Sequence, residues 1–258
     1  MTSPDAHAAR HDARIMPFDG IVNFRDFGGL RTRDGGVTRH GLLFRSDSLG
    51  DVTPADLARL AELRVETLFD LRGDWERKKK PNLVPGDRPR QIVHGFLPQE
   101  TFDMVAAINA GRWGRREAYE NMLLQYRRLA LDHLEAFRRL FDDLFAHDFD
   151  SALLIHCTSG KDRTGIAAAA LQIAVDVEPE DIMADYALSN RHRRHVSYFD
   201  DQADPEAISE MLAARPEFLD SAFAAACERF GSLARYIEDG MGITPERRRR
   251  LRAVLVAS

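Results

Sequence analysis

The sequence predicts an α/β fold in which a central, mostly parallel sheet is flanked by helices and extra helices form a cap or lid. Two observations support this prediction. Short apolar runs of the kind buried in parallel sheets alternate with helix-like segments, and from Pro179 onward the pattern is helical. The predicted strands are residues 21–24, 42–45, 66–71, 91–96 and 152–156.

Several helices have recognisable sequence signals. Thr53-Pro54-Ala55-Asp56 combines an N-cap threonine, a proline at the first helical position and a carboxylate in the first turn. Residues 101–116, which include the run Gly-Arg-Trp-Gly-Arg-Arg, are predicted to form part of the lid. The C-terminal part is predicted to contain helices at residues 180–188, 205–214, 216–230, 233–238 and 245–256.

The run His156–Gly165 is the most informative segment of the chain. It follows a predicted strand and precedes an Ala-rich helical stretch, so it lies at the amino end of a helix. Unpaired N–H groups and the helix dipole favour an anion there, and Arg163 can offer two parallel hydrogen bonds to a phosphate. We therefore predict a phosphate-binding loop with contributions from Thr158, Ser159, Gly160, Lys161, Thr164 and Gly165.

Cys157 is the candidate nucleophile of this loop. The positive end of the helix and the neighbouring cations favour a thiolate, which is the reactive form of cysteine. The Thr164 hydroxyl is placed to donate to that sulfur when the sulfur becomes a leaving group. The alternative is a buried structural cysteine, which would explain neither the arginine nor the Gly-Lys-Asp run.

The loop also carries a family resemblance. His156-Cys157, five residues and then Arg163-Thr164-Gly165 resembles the signature of cysteine-dependent protein tyrosine phosphatases. The run 160–165 resembles the atypical bacterial members, which also accept phosphoserine, phosphothreonine and phosphoinositides. The likeness extends from about residue 15 into the C-terminal helices, with further matches at Asn23–Gly29, Phe44–Asp47 and Asp70–Arg72. It implies a protein tyrosine phosphatase-like fold and a phosphorylated protein or phosphoinositide as substrate.

A phosphatase needs a general acid for the leaving oxygen. The apolar residues between positions 129 and 145 fall at helical spacing, so the carboxylates there are expected on a solvated face rather than on an acid loop. Asp162 is the better candidate, and the resemblance implies the same role. Its alternative is an ion pair with Lys161 or Arg163. The resemblance also implies that Lys161 favours extra phosphates on lipid headgroups.

Asp70 and His156 are candidates for supporting roles. Asp70 ends a predicted strand at the sheet edge where ligands bind in open α/β folds, so it either orients Arg163 or assists proton transfer, or alternatively caps a turn. Arg25 and Asp26 are expected to hold the N-terminal segment against the sheet. The remaining histidines lack metal-ligand spacing, so we predict no metal and no cofactor.

Composition bounds the location and the partners. Of 258 residues 44% are hydrophobic and 30% charged, and the net charge of −5 argues against nucleic acid as a partner. A disulfide would consume Cys157, and Cys227 is interpreted as core filler, so a reducing cytoplasm is expected. Neither a signal peptide nor an apolar span for a membrane is evident, although export by a specialised route stays open. Residues 1–14 are predicted to be a disordered tail before a single phosphatase domain, 15–258, with a helical C-terminal part.

Three basic runs, residues 77–80, 191–195 and 247–250, have a solvated face as their default interpretation. The first two are also placed to contact an acidic substrate. Together these features predict a phosphomonoester hydrolase that acts on phosphotyrosine, phosphoserine and phosphothreonine through a phosphocysteine. The alternatives are an enzyme acting mainly on phosphoinositides and a module that binds phosphate without turnover; the oligomeric state is left open.

Overall fold

The computed structural model describes residues 4–86 and 88–257. Its strands are β1 (Arg25–Asp26), β2 (Val37–Thr38), β3 (Leu43–Ser46), β4 (Val65–Arg72), β5 (Arg90–Phe96), β6 (Ala152–His156) and β7 (Val256–Ala257). Its helices are α1 (Pro4–Asp12), α2 (Pro54–Glu62), α3 (Asp74–Lys79), α4 (Gln99–Asn109), α5 (Arg115–Asp132), α6 (Leu134–Ala146), α7 (Asp162–Ala174), α8 (Pro179–Ala187), α9 (Pro205–Leu212), α10 (Pro216–Phe230), α11 (Leu233–Arg235) and α12 (Pro245–Leu255). A 3-10 turn occupies Leu188–Asn190 and a π-helical turn Tyr236–Gly240.

The main sheet has the strand order β1-β3-β6-β4-β5, and β2 pairs with β7 in a separate antiparallel ribbon. Strands β3, β6, β4 and β5 run parallel, whereas the short β1 is antiparallel to β3. The predicted central, mostly parallel sheet flanked by helices is therefore confirmed. Strand β6 lies in the middle, and its carboxyl end leads directly into the loop that the sequence singles out.

Strand β6 is apolar on both faces because the sheet is covered on both faces. Leu153 and Ile155 pack into the larger apolar cluster, and Ala152 and Leu154 pack into the smaller one, which includes Leu60 of α2. Successive side chains of a strand point to opposite faces, so the two clusters take alternate residues. This double burial explains the continuous apolar run of β6.

Helix α2 begins as the sequence predicts. The Asp56 amide donates to Thr53 Oγ1 at 3.1 Å, and the Thr53 amide donates to the Asp56 carboxylate at 2.9 Å. This reciprocal pair is a capping box. Asp56 also accepts from the amides of Asp19 and Gly20 at 2.8 Å each, so one carboxylate fixes both the helix and the segment before β1.

Three predicted segments differ from the structure by more than a shift of one or two residues at an end. The strand expected at 21–24 is replaced by β1, because Asn23 has a φ of 61°, a left-handed conformation that does not continue a strand. The stretch 129–145 is helical as predicted, but His133 divides it between α5 and α6. The helix expected at 233–238 is the short α11 followed by the π-helical turn. In the described part of the chain, no helix is long and apolar enough to cross a bilayer.

Residues 4–14 differ from the disordered tail that their composition predicts. Pro4–Asp12 form α1, and basic side chains in this helix and just after it reach two carboxylates on α8. Arg10 Nη2 lies 2.6 Å from Asp181 Oδ1, and Arg14 Nη2 lies 2.5 Å from Asp185 Oδ1. Each pair joins residues 171 positions apart, so local composition carries no sign of the contact that holds this segment.

Candidate active site

The loop between β6 and α7 turns around Gly160. Its φ is +66°, and a Cβ atom at this position would lie 2.4 Å from the Ser46 carbonyl oxygen. Only glycine combines that backbone conformation with such a close approach to β3. Helix α7 then begins at Asp162, so the loop lies at its amino end as the sequence predicts.

The carbonyl groups of the loop are bound from outside it. Arg45 Nη2 donates to the Gly160 carbonyl at 2.8 Å, and Asn23 Nδ2 donates to the Ser159 carbonyl at 3.0 Å. The Ser48 amide donates to the Thr158 carbonyl at 3.3 Å. In a planar trans peptide the N–H points opposite to the C=O. The amides of Ser159 and Gly160 therefore point the other way, into the loop, where an anion would accept their hydrogen bonds. The next amide, that of Lys161, donates to Ser159 Oγ at 3.4 Å.

A buried cluster of arginines lies beneath this loop. Arg14, Arg25 and Arg45 all contact the Asp185 carboxylate, at 2.5, 3.0 and 2.7 Å. Gln172 Nε2 adds a donor to Asp185 at 3.1 Å. All three arginines are 1% exposed, so their excess positive charge is little screened by solvent. We name the three arginines and Asp185 the arginine cluster; its field favours an anion at the loop.

The pKa values of the arginine cluster reflect its crowding. Burial and then the charge of Arg45 lower the pKa of Arg25 to about 9, against the opposing pull of Asp185. For Asp185, burial favours the neutral acid, but the three guanidinium groups outweigh it and hold its pKa well below the ordinary value. The Arg25 side chain was expected to hold the N-terminal segment against the sheet, and it instead ties β1 to α8 through Asp185. Asp26 accepts from the amides of Gly28 and Gly41 and so organises the turn after β1.

Arg163 is clamped by a residue that sequence reasoning missed. Its Nη1 and Nη2 lie 2.5 and 2.6 Å from the two carboxylate oxygens of Glu76 on α3. Nη1 also donates to the carbonyls of Leu71 at 3.2 Å and Phe96 at 2.8 Å, at the ends of β4 and β5. Burial alone would lower the pKa of Arg163, but the Glu76 bond and the neighbouring Cys157, Glu76 and Asp162 charges raise it. The guanidinium is thereby held charged and oriented beside Cys157.

Glu76 is itself fixed in place. The Gly73 amide donates to Glu76 Oε2 at 2.8 Å, and the Thr158 hydroxyl hydrogen-bonds Oε1. Burial raises its pKa, yet the bonds from Arg163, Thr158 and Gly73 bring the net pKa below the ordinary value. The available sequence signal was a carboxylate in the first turn of a helix that starts right after strand β4. Such a carboxylate predicts the start of a helix, but it does not indicate that Glu76 binds Arg163.

Asp162 meets two tyrosines and a lysine. Tyr126 donates to Asp162 Oδ1 at 2.7 Å, and its hydroxyl oxygen lies 2.5 Å from that of Tyr186. The Asp162 side chain is about a quarter exposed, at 24%. Lys161 Nζ is 3.4 Å from Asp162 Oδ1 and donates to the carbonyls of Met211 at 2.8 Å and Ala213 at 3.1 Å. The ion pair between Asp162 and Lys161, which was the alternative role for Asp162, is thus present. The Lys161 ammonium also binds carbonyl groups at the end of α9.

Asp70 and His156 lie beside the loop, and their hydrogen bonds are made to residues other than Arg163. Asp70 binds Arg72 through both carboxylate oxygens and accepts from the Arg72 amide at 2.9 Å, which is the turn-capping alternative. His156 Nε2 lies 3.7 Å from Asp70 Oδ2 and 3.3 Å from Asn82 Nδ2. Burial, only partly offset by Asp70, lowers the His156 pKa and favours the neutral ring. The task of orienting Arg163, one of the roles considered for Asp70, falls to Glu76.

The Thr164 hydroxyl is buried and has no hydrogen-bond partner in the described part of the chain. The bond from Thr164 to the Cys157 sulfur that the sequence suggested is therefore not formed in this structure. Gly165 has a packing role, since a Cβ there would lie 3.2 Å from the Tyr186 ring. Cys157 itself is 1% exposed and lies where β6 ends.

Most of the cationic side chains in the three basic runs form ion pairs with carboxylates of this chain. In residues 77–80, Arg77 pairs with Asp74, and Lys80 pairs with Asp51. In residues 191–195, Arg194 binds Asp47 and Asp51, and Arg191 binds Asp12. The run in α12 joins that helix to its neighbours through Arg247–Asp142, Arg248–Asp176 and Arg250–Asp148. These pairs favour the default interpretation of solvated, structural charge.

Comparison with known proteins agrees with the geometry of the loop. A family model described as the tyrosine phosphatase family matches residues 16–257. A Cupriavidus necator protein named as a putative tyrosine-protein phosphatase is 30% identical over 258 positions, which cover 93% of this chain and 89% of that protein. The triple specificity protein phosphatase PtpB of Mycobacterium tuberculosis is 29% identical over 281 positions, covering 94% of this chain and 99% of that protein. The chain therefore belongs to the tyrosine phosphatase family and is a protein tyrosine phosphatase.

Proposed function

We propose that this phosphatase hydrolyses phosphotyrosine, and also phosphoserine and phosphothreonine, through a phosphocysteine on Cys157. One observation carries the proposal. Cys157, Asp162 and Arg163 stand at the turn from β6 into α7, and donors outside this turn bind the carbonyls of Thr158, Ser159 and Gly160. A dianionic phosphate seated there would have Cys157 beneath it, Arg163 beside it and Asp162 at the partly exposed rim.

In the first step the Cys157 thiolate attacks phosphorus and the bond from phosphorus to the leaving oxygen breaks. Asp162 supplies a proton to that oxygen, so the product leaves as a neutral alcohol or phenol. Arg163 and the loop amides bind the equatorial oxygens while charge redistributes. Glu76 supports the step indirectly, because it fixes the plane of the Arg163 guanidinium.

In the second step water attacks the phosphocysteine. Asp162, now a carboxylate, takes a proton from that water, the bond from phosphorus to sulfur breaks, and inorganic phosphate is formed. The Cys157 thiolate is regenerated in the field of the arginine cluster and the α7 amino end. The same groups therefore act in both steps, in opposite protonation states.

The contacts of Lys161 favour protein phosphoesters over phosphoinositides. A lysine that recognised extra headgroup phosphates would need its ammonium at the rim of the loop. Here that ammonium is bound to the Met211 and Ala213 carbonyls, and the side chain is 8% exposed. Arg77 and Lys80 in the first run and Arg191 and Arg194 in the second pair with carboxylates of this chain, so fewer cations there are available to an acidic headgroup.

The test is a panel of phosphotyrosine, phosphoserine and phosphothreonine peptides and of phosphoinositides, assayed side by side with Cys157→Ser. We expect turnover of the peptides, phosphotyrosine most rapidly, and loss of turnover in the variant. Acid quench should trap phosphate on the wild-type protein only. Full activity of Cys157→Ser would overturn the covalent route, whereas phosphate binding without turnover by the wild type would indicate a recognition module. Preference for the lipids would overturn the proposed substrate class.

The role of Asp162 has its own test. In Asp162→Asn, we expect kcat/KM to fall about 10²-fold or more on a phosphoester with a poor leaving group. A substrate whose leaving oxygen needs no proton, such as 4-nitrophenyl phosphate, should lose much less. An equal loss on both substrates would show that another group is the acid.

A further inference from the structure

The described side chains that face Asp162 come from four parts of the fold. Lys161 and Arg163 flank it on the loop, Tyr126 reaches it from α5, and Tyr198 adds electrostatic influence from the segment before α9. Tyr186 of α8 stands behind Tyr126. Of these, Tyr126 makes the shortest contact, 2.7 Å to Oδ1.

The direction of the hydrogen bonds follows from the donors available. An ionised carboxylate only accepts, so the single hydroxyl proton of Tyr126 goes to Asp162. In the 2.5 Å contact between the two tyrosines, Tyr186 must then be the donor. The chain therefore runs from Tyr186 to Tyr126 to Asp162. Burial, with a further contribution from the Asp162 charge, raises the pKa of both tyrosines well above the ordinary value, so both remain protonated donors.

The tyrosines are held rigidly by packing. Tyr126 and Tyr186 are 0% and 1% exposed, and their rings meet edge to face with centroids 6.0 Å apart. Phe218 of α10 lies against Tyr126, with ring centroids 5.7 Å apart. A hydroxyl fixed in this way defines where Oδ1 can lie. By contrast, Asp162 retains some exposure toward the loop opening.

We propose that Tyr126 and Tyr186 are positioning residues for the acid: Tyr126 occupies Oδ1, so the transferable proton is confined to Oδ2, and Tyr186 fixes the Tyr126 hydroxyl. The inference rests on the proposed function of Asp162. It accounts for two buried tyrosine hydroxyls that no binding step requires. Under this proposal, two residues outside the phosphate loop, one on α5 and one on α8, position the group that transfers the proton.

Tyr126→Phe and Tyr186→Phe test this idea, because each removes one oxygen and keeps the ring. The measurement is kcat/KM on a poor and a good leaving group, since this constant reports cleavage of the bond to the leaving oxygen. We expect Tyr126→Phe to lose roughly tenfold on the poor leaving group and much less on the good one, as befits one bond to a charged group. Tyr186→Phe should show the same selectivity with a loss of roughly twofold to threefold.

Tyr236→Phe is the matched control. Tyr236 is also buried, and its hydroxyl donates to the Ala130 carbonyl at 2.9 Å, away from the loop. Like Tyr126→Phe and Tyr186→Phe, this variant loses a buried hydrogen bond and should lose stability. Its ratio of kcat/KM between the poor and the good leaving group should equal that of the wild type. Thermal unfolding of all three variants separates folding from catalysis.

Double variants complete the design. If Tyr126 acts through Asp162, Tyr126→Phe should cost nothing further in an Asp162→Asn background. Additive losses, or equal losses on both leaving groups in Tyr126→Phe, would overturn the positioning role while the acid assignment stands. If Asp162→Asn itself shows no leaving-group dependence, the acid assignment fails, and this inference fails with it.

Discussion

Glu76 holds Arg163 by two parallel contacts, with Oε2 2.5 Å from Nη1 and Oε1 2.6 Å from Nη2. Arg–carboxylate pairs of this kind combine strength with a defined plane. Because both partners are largely buried, the contact is screened much less than a surface pair. Glu76 therefore couples helix α3 to the phosphate loop.

The first prediction concerns this coupling. Glu76→Ala should lower kcat/KM about 10-fold to 100-fold, because Arg163 loses the group that sets its plane and a buried cation is left with fewer partners. Glu76→Gln, which keeps an acceptor for Arg163, should lose less. Asp74→Asn in the same helix is the control, since Asp74 pairs at the surface with Arg77. Activity of Glu76→Ala equal to that of the control would contradict the clamp.

The second prediction concerns the arginine cluster. Asp185→Asn should lower the free energy of unfolding by about 3–5 kcal/mol, because three buried guanidinium groups lose a shared counter-charge. The partly exposed Asp176, which pairs with Arg248 and Arg252, is the matched control. Asp176→Asn should cost about 1 kcal/mol or less. Urea unfolding measures both, and similar losses would mean that the cluster is not a critical buried network.

The third prediction concerns the turn of the loop. Gly160→Ala should nearly abolish activity, because the added Cβ would lie 2.4 Å from the Ser46 carbonyl oxygen. Gly111→Ala isolates the backbone effect, since Gly111 has a φ of +64° and a Cβ atom added there would have no neighbouring atom within 4 Å among the described residues. That control should lose only about 1 kcal/mol of stability and keep its activity. Full activity of Gly160→Ala would show that the loop accommodates the clash.

The fourth prediction concerns pH and Asp47. Burial raises the pKa of Asp47 from 3.8 to about 6, although its bond with Arg194 opposes the shift. The folded state therefore binds this proton more tightly than the unfolded state, so the stabilisation is complete below about pH 4 and lost as pH rises through about 6. Relative to Asp47→Asn, the wild type should lose up to about 3 kcal/mol of unfolding free energy across that range. Urea unfolding at a series of pH values measures this difference. Parallel profiles of the two proteins would contradict the shift.

The sequence predicted four of the main-sheet strands to within one residue, and the reason is clearest for the two that are buried on both faces. The segments at β4 and β6 are found within one residue of their expected bounds, because their apolar runs report burial directly. Edge strand β5 also lies within one residue of its expected bounds, although it is largely exposed. The strand expected at 21–24 failed for a local reason, the left-handed Asn23. Asn23 serves the loop in this conformation, since its side chain binds the Ser159 carbonyl.

By itself, the sequence determined the chemistry of the phosphate loop, because Cys157, Asp162 and Arg163 are neighbours along the chain and their spacing is readable without a fold. Only the tertiary structure decided which residues orient Arg163 and Asp162. Glu76 stands 87 positions from Arg163, and Tyr126 stands 36 positions from Asp162. Arg14 reaches Asp185 from 171 positions away, which turned a segment expected to be disordered into part of the site's support. Ion pairs and hydrogen bonds of buried polar groups depend on which surfaces the fold brings together, and no local pattern of residues records that choice.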